Sequence, residues 1–222
     1  AAPYHLTIRE SGNLVLFKYS QIDSDFSQPI VQESRGIILE RETWKIVCHP
    51  FHKFFNYGEG FAADIDWDSA RVQSKEDGSL IKVYFHNDAW KVATNGTIDA
   101  FEAPIEVPFS KVETFGELFM YTLKKLLHDE SRLFSQLDKE YTHLFELCTP
   151  YNRVVVPYRD FQLFYLGSKH NETGHEEIQQ WAIPKPRSYR LNSLEDILEM
   201  AETLSYDEEG YVVVDKDLNR IK

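Results

Sequence analysis

A lysine in an acidic turn is the residue best placed for chemistry in this sequence. Lys75 lies in the segment 74–79 (SKEDGS), between two β-type runs, so its side chain is presented at the end of a strand. A neutral lysine amine can attack an electrophile such as phosphorus, and burial or nearby cations favour the neutral form. A solvated lysine in an acidic turn is the commoner use of this residue type. Lys75 is therefore a candidate nucleophile, beside a turn shaped by Gly78.

A first carboxylate that could complete such a site is Glu146. It lies in the strand-like run 141–148, where period-2 alternation places it on the same face as Leu144 and Cys148. A carboxylate on an apolar face requires a cation, a metal or a ligand hydroxyl as its partner. The pattern leaves two interpretations open, a ligand-binding carboxylate or a buried salt bridge to Arg153.

A second carboxylate, Glu209, stands with Gly210 before the apolar run 211–215 (YVVVD). A carboxylate at the end of a strand is a natural Mg²⁺ ligand, and glycine permits a ligand to approach the backbone closely. An acidic loop between a helix and a strand would have the same composition. The position is therefore a candidate metal site only in company with other residues.

Cations recur at three further places. Arg35 precedes the β-type run 36–40, and Lys53 opens the segment 53–56 (KFFN), whose aromatic rings could stack on a base. Arg220 and Lys222 alternate at the end of the chain, which places both on one side of a strand. Core packing of the phenylalanines and solubilising charges on an edge strand are the alternative explanations.

Several familiar sites are absent from the sequence. It contains no G-x-x-x-x-G-K-[ST] phosphate loop, no G-x-G-x-x-G and no G-x-S-x-G elbow. His49 and His52 have no carboxylate or cysteine at ligand spacing, so a zinc site is not expected there. Two cysteines are too few for a disulfide scaffold, which favours a reducing, intracellular setting.

Composition limits the class of protein. The 222 residues include 24 Lys+Arg against 36 Asp+Glu, a net charge of -12, which argues against coating nucleic acid by bulk charge. A hydrophobic share of 42% suffices for a packed core and excludes a disordered chain. There is neither an apolar run long enough to span a membrane nor a secretory signal at the start. A cytoplasmic location is expected, or the host cytoplasm if the source is viral.

Hydrophobic periodicity predicts an α+β fold with antiparallel sheets flanked by helices, in one domain over residues 1–222. Thr114 and Glu117 have the spacing of a capping box, and Ser193 with Asp196 caps a last helix. A second short helix is expected over 132–140. The predicted strands, several of them paired as hairpins, are 13–19, 36–40 with 44–49, 79–85 with 89–94, 141–148, 153–156, 161–166 and 211–215.

Taken in order, these segments resemble the bacteriophage-type RNA ligase 1 family. Its members are ATP-dependent ligases that reseal broken tRNA, and they belong to the covalent nucleotidyltransferase superfamily with DNA ligases and mRNA-capping enzymes. The resemblance runs from about residue 33 to the last residue and depends on the ordered set. The matching blocks are 33–38 (ESRGII), 50–56 (PFHKFFN), 74–80 (SKEDGSL), 145–155 (FELCTPYNRVV), 209–212 (EGYV) and 221–222 (IK).

The resemblance implies a role for each matching residue. Lys75 would attack the α-phosphate of ATP and form a lysyl-AMP, which passes to an RNA 5′-phosphate before a 3′-hydroxyl displaces AMP. Glu146 would hold the ribose hydroxyl, and Glu209 would organise Mg²⁺ or Mn²⁺. The remaining residues expected to bind ATP or AMP are Arg35, Lys53, Phe55, Glu76, Asp77, Gly78, Gly210, Val212 and Lys222.

The sequence departs from the family at two places. Asn95 stands where some members carry a lysine, and the chain stops at Lys222, the first lysine of the family's final Lys-x-Lys motif. We therefore expect a chain truncated within that motif. The resemblance further implies RNA ends as the substrate and a kinase or phosphatase that heals such ends as a further partner. Two alternatives stay open: a capping-type guanylyltransferase that uses GTP, and a non-catalytic fragment that binds nucleotides or RNA ends.

Overall fold

The computed structural model describes residues 3–108, 110–191, 193–205 and 208–222, and it contains three antiparallel sheets with helices beside them. The strands are β1 (Leu6–Ser11), β2 (Leu14–Tyr19), β3 (Arg35–Glu40), β4 (Ile46–Cys48), β5 (Arg71–Ser74), β6 (Ser79–His86), β7 (Ala89–Thr94), β8 (Tyr141–Cys148), β9 (Gln162–His170), β10 (Glu176–Glu177), β11 (Ser188–Tyr189), β12 (Tyr211–Val214) and β13 (Arg220–Ile221). The α-helices are α1 (Pro29–Glu33), α2 (Phe115–Leu127), α3 (Ser131–Phe134) and α4 (Leu194–Glu202).

The order of the strands defines the three sheets. The first sheet runs β1-β2-β3-β4, the second β10-β9-β8-β6-β7 and the third β11-β5-β12-β13. Neighbouring strands in all three pair antiparallel. These sheets and the flanking helices confirm the predicted α+β class.

The second sheet is covered on both faces. Helix α2 packs on one face, where Phe119 and Leu123 join Phe145 in the largest apolar cluster. The first sheet packs on the other face, where Leu16 and Ile38 belong to a separate cluster. Because both faces are covered, nearly every side chain of the central strand β6 is buried.

Local caps begin the two longer helices where the sequence predicts. The Thr114 hydroxyl accepts from the Glu117 N–H, and the Glu117 carboxylate accepts in return from the Thr114 N–H. At α4 the Ser193 side chain accepts from the Asp196 N–H, and the helix packs Ile197 against the third sheet. Each cap satisfies backbone donors that the first helical turn leaves open.

Two predicted elements are wrong in extent or type. The helix expected over 132–140 is only the one turn of α3, since Asp138 accepts from the Glu140 N–H in a turn that leads into β8. Residues 153–156 form a loop, not a strand. The Asp77 carboxylate accepts from the N–H groups of Val155 and Val156, which removes them from any sheet ladder.

No helix among the described residues is long and apolar enough to cross a membrane. Cys48 and Cys148 are both buried free thiols, as the low cysteine count predicts.

Candidate active site

Lys75 lies at a cavity where all three sheets meet. The residue follows β5, and its N–H donates to the Gly210 carbonyl at 2.9 Å, which ties the strand end to the start of β12. Gly210 has a φ of +143°, a conformation that L side chains rarely adopt. The cavity is lined by Arg35, Phe51, Phe54, Gln73, Ser74, Lys75, Glu76, Glu146, Leu166, Pro186, Val212 and Arg220.

The lysine amine is paired with a carboxylate. Lys75 Nζ forms an ion pair with Glu209 Oε1, and both side chains are about three-quarters buried. The second oxygen of Glu209, Oε2, is buried and has no hydrogen-bond partner among the described residues. A buried carboxylate oxygen without a donor is unfavourable unless a cation or ligand satisfies it. Glu209 therefore offers a spare oxygen of the kind that Mg²⁺ and Mn²⁺ bind.

Glu146 reaches the same cavity from β8. Its Oε1 accepts from the Gly78 N–H at 3.1 Å, and no contact joins it to Arg153, whose Nε donates to the Val155 carbonyl. Burial raises the pKa of Glu146 to about 7, although Arg35 and Lys75 oppose that shift. A carboxylate held this way can exchange hydrogen bonds with a ligand hydroxyl.

Gly78 makes the close packing of this turn possible. A Cβ added at Gly78 would lie 2.2 Å from the Leu147 carbonyl oxygen and 2.8 Å from Cys148 Sγ. Those contacts are far shorter than van der Waals separation, so a side chain here would push the turn away from β8. Gly78 therefore allows the turn that follows Lys75 to pack directly against β8, the strand that carries Glu146.

Glu76 and Asp77 have different surroundings although they are neighbours. Glu76 lines the cavity and accepts from the Tyr158 hydroxyl at 3.1 Å. Asp77 is only 4% exposed and lies outside the cavity lining, with its carboxylate bound to the backbone of residues 155–156. Asp77 therefore stabilises the loop at residues 155–156, whereas Glu76 lies at the cavity surface.

Cations gather around this cavity in a protein of net charge -12. Arg35, Lys75 and Arg220 line it, whereas Lys53 and Lys222 lie outside its lining but interact electrostatically with Arg35. Burial is the main cause that lowers the pKa of Lys222, and repulsion from Lys75 adds to it. Burial likewise lowers the pKa of Lys53, and repulsion from Lys222 is the second cause. Arg35 contributes to both shifts. Such mutual repulsion is costly, and an anionic ligand such as a polyphosphate would relieve it.

The aromatic residues that line the cavity are Phe51 and Phe54. The Phe54 ring lies 5.3 Å from the Arg35 guanidinium. Phe55 is buried outside that lining and packs with Phe26 and Phe61. Phe55 also holds the ammonium of Lys53, 4.9 Å from its ring centre.

The RNA ligase family matches this chain over residues 33–221. A putative bifunctional polynucleotide kinase/RNA ligase of Autographa californica nuclear polyhedrosis virus is 35% identical over 225 residues, covering 92% of this chain and 31% of the viral protein. The chain belongs to the RNA ligase family. An RNA ligase of Rhodothermus phage RM378 is 29% identical over 199 residues, which cover 77% of this chain and 44% of the phage protein. The chain therefore spans less than half the length of these two relatives.

The fold agrees with this family membership. The structure of an archaeal ATP-dependent RNA ligase superposes with a TM-score of 0.63 at 13% identity, covering 98% of this chain and 58% of the archaeal one. At that identity the likeness concerns the fold alone. The architecture of this chain is thus similar to that of an ATP-dependent RNA ligase.

Arg220 and Phe51 are among the cavity-lining residues of this RNA ligase family member that the sequence did not identify as part of the site. Arg220 lines the cavity from β13 and lies 4.2 Å from the ring centre of Phe51, which lines it as well. The alternation of Arg220 and Lys222 was a signal for the cation. The position of Phe51 depends on how the first and second sheets pack, which no local pattern reports.

Proposed function

We propose that this chain is the adenylyltransferase core of an ATP-dependent RNA ligase. The Lys75 amine, after losing a proton, attacks the α-phosphate of ATP. A P–N bond forms, the bond to the bridging oxygen breaks and pyrophosphate leaves. An RNA 5′-phosphate oxygen then displaces the lysine, and a 3′-hydroxyl attacks that 5′-phosphorus to form a phosphodiester while AMP departs.

The observation that carries the proposal is the position of Lys75. It is the lysine among the cavity-lining residues, and it faces two carboxylates and further cations that lie far from it in sequence. Phosphoryl transfer needs mainly positioning and charge stabilisation from the protein. An amine at a cavity with a paired carboxylate and cations around it meets those needs.

The cavity also supports distinct roles for its other residues. Arg35, Lys53 and Lys222 would neutralise the phosphates, since their charges already repel one another there. Glu146 would accept from a ribose hydroxyl, and Phe54 would contact the nucleotide instead of Phe55. Val212 would line the pocket, Gly78 and Gly210 would shape its walls, and Asp77 would act through the loop that it fastens.

A divalent metal fits the oxygen that Glu209 leaves unpaired. Bound Mg²⁺ or Mn²⁺ would supply charge neutralisation for the phosphates and the departing pyrophosphate. Glu209 itself holds the Lys75 ammonium in the cavity before reaction. Glu209 would hold the metal through its unpaired Oε2, and its Oε1 would keep the Lys75 amine positioned in the cavity.

The proposed substrates are ATP and RNA ends bearing a 5′-phosphate and a 3′-hydroxyl, as in RNA or tRNA repair. The viral relative is described as a polynucleotide kinase joined to an RNA ligase. A kinase or phosphatase that prepares the ends is accordingly the partner activity that we propose. Because ATP is the substrate, the reaction is assigned to the cytoplasm of the cell or of an infected host.

Intact-protein mass after incubation with ATP and Mg²⁺ tests this proposal. We expect a gain of one AMP with ATP, none with GTP and none in Lys75→Ala. Lys216→Ala is the matched control, because Lys216 also pairs with a carboxylate, Asp66 at 2.7 Å, but lies outside the cavity.

The outcomes separate the alternatives. AMP uptake by Lys75→Ala would refute the assignment of Lys75 as the nucleophile. A gain of GMP with GTP would indicate a capping-type enzyme. Binding of ATP without any mass gain in folded protein would identify a non-catalytic nucleotide-binding fragment.

A further inference from the structure

Three potential metal ligands converge outside the Lys75 cavity. Glu33 ends α1, His49 directly follows β4, and His52 follows three residues later. One ligand atom from each residue lies within 4.8 Å of the others. His52 Nε2 and Glu33 Oε1 are 3.3 Å apart. The sequence analysis dismissed this pair of histidines because it lacked a carboxylate, and the fold supplies Glu33.

His49 is held in one orientation by a buried network. Its Nδ1 lies 3.1 Å from the Asn171 carbonyl oxygen, and its backbone N–H donates to Thr142 Oγ1 at 2.8 Å. Thr142 in turn donates to Asn171 Oδ1. Because a carbonyl only accepts, Nδ1 carries the proton and Nε2 carries the lone pair. A backbone carbonyl that fixes the histidine tautomer is the usual support behind a metal ligand.

The lone pair of His49 Nε2 has no protein partner. His49 is 7% exposed, and its Nε2 makes no hydrogen bond with any group in the part of the chain that the structure describes. An unpartnered buried acceptor costs free energy, which a metal ion at this position would recover. Because Nδ1 is bound to the Asn171 carbonyl, the orphaned Nε2 is the nitrogen that His49 has free for a metal. Its lack of a partner points to a ligand independently of the clustering of the three residues.

The ligand types and the surrounding charges suit a metal ion. Imidazole nitrogens and a carboxylate oxygen are ordinary ligands of transition metals. Lys169 lies close enough to His49 to oppose a cation there, but the carboxylates of Glu176 and Glu33 partly balance its charge.

We propose that Glu33, His49 and His52 form a binding site for a divalent transition metal of the Zn²⁺ class. Two imidazole nitrogens and one carboxylate oxygen favour such an ion over Mg²⁺, which prefers oxygen ligands. Neighbouring ligands around tetrahedral Zn²⁺ are separated by about 3.3 Å, given bonds of about 2.0–2.1 Å. The distance between His52 Nε2 and Glu33 Oε1 already has that value, and the ligand atom of His49 lies within 4.8 Å of the other two.

Such an ion would fasten two segments of the candidate active site. Glu33 lies two positions before Arg35 in the chain, and His52 immediately precedes Lys53. His52 and Lys53 line a neighbouring cavity of about 350 Å³ that shares Phe54 with the Lys75 cavity. Metal binding would therefore restrain the backbone from which two phosphate-facing cations project. Three protein ligands leave a fourth position for water.

Calorimetric titration of the chelator-treated chain with Zn²⁺, in excess Mg²⁺, tests the site. We expect one Zn²⁺ per chain, and a loss of affinity of about 100-fold or more in Glu33→Gln and in His52→Gln, since losing even an outer-shell partner costs about 10–100-fold. Co²⁺ in place of Zn²⁺ should give the intense visible absorption of a tetrahedral site, lost in the same variants.

The matched control is His86→Gln. His86 is also buried with an unpartnered Nε2, but it is not part of the cluster of three ligands. It should leave Zn²⁺ affinity and the Co²⁺ spectrum unchanged. Both Glu33 and His52 side chains are about half exposed, so their variants should fold, which circular dichroism checks.

The absence of stoichiometric Zn²⁺ binding, or equal affinity in Glu33→Gln and His86→Gln, would overturn the proposal. These readouts need neither ATP nor RNA, and the site can therefore be tested independently of the ligase reaction.

Discussion

Lys75 and Lys82 lie close together in the chain, but the fold treats them in opposite ways. Lys75 follows β5, is about one-quarter exposed, lines a cavity and pairs with Glu209. Lys82 lies in the middle of β6, is 0% exposed and donates to the Gly36 carbonyl, with no carboxylate partner among the described residues. Burial lowers the pKa of Lys82 to about 8.

The contrast shows that a nucleophile requires access as well as a tendency to lose its proton. Burial favours the neutral form of Lys82, but no ligand can reach a side chain enclosed between two sheets. Lys75 is reachable, and a carboxylate holds its ammonium in the cavity. Substitutions at Glu209, Lys82 and Glu146 test this division.

Glu209→Gln should have the largest effect of the three substitutions, on the rate of AMP uptake at Lys75. It removes the charge that pairs with Lys75 and the oxygen offered to a metal, so we expect AMP uptake to fall by about 100-fold or more. Initial rates over a Mg²⁺ titration measure this effect. Glu208→Gln, an exposed neighbour, should behave as the unaltered chain. An unchanged rate in Glu209→Gln at every Mg²⁺ concentration would contradict the proposed role.

Lys82→Met should change the pH dependence of stability. The pKa of Lys82 is about 8 when folded, against 10.5 for an unperturbed lysine. The unfolded chain therefore binds more protons between those values, and the free energy of unfolding should rise over that window by about 3 kcal/mol. Lys82→Met should lack this rise. Urea unfolding at pH 7.5 and 10 compares the two, and parallel profiles would refute the buried-cation interpretation.

Glu146→Gln should give the smallest effect on stability. Because burial raises the pKa of Glu146 from 4.5 to about 7, the free energy of unfolding should fall as the pH rises through that window. At pH 8 the variant should be more stable by about 1 kcal/mol, a value reduced for partial solvent screening. Its affinity for ATP should decrease nevertheless. Equal stability of both proteins at pH 5 and 8 would contradict the shift.

Local patterns predicted the elements whose signals come from near neighbours. The hairpin of β6 and β7, the strand β8 and the capped starts of α2 and α4 all agree with the structure. A strand was wrongly predicted over residues 153–156 because a β-branched run resembles one. In the structure the carboxylate of Asp77, which is distant in sequence, accepts hydrogen bonds from the backbone of this run. The short, polar strand β5 was missed, since it becomes a strand only through β11 and β12.

The candidate site was predictable in part. The segment around Lys75, both carboxylates and the terminal cations were found from residue type and order, and the RNA ligase family was confirmed by comparison. The catalytic and binding roles of these residues stay predictions. The sequence did not indicate that Phe54 instead of Phe55 lines the cavity, since two adjacent rings differ only in which way the chain turns.

The sequence by itself determined which residues could react and the order in which they occur. Tertiary structure decided which of them meet. Glu146 accepts from Gly78 and Glu209 pairs with Lys75 because strand register joins segments that are distant in the chain. Nothing in the sequence distinguishes Lys82 from a solvent-facing strand lysine, but both faces of its sheet are covered and the side chain is buried. Periodicity and caps act over a few residues, whereas burial and charge pairing depend on how whole sheets pack.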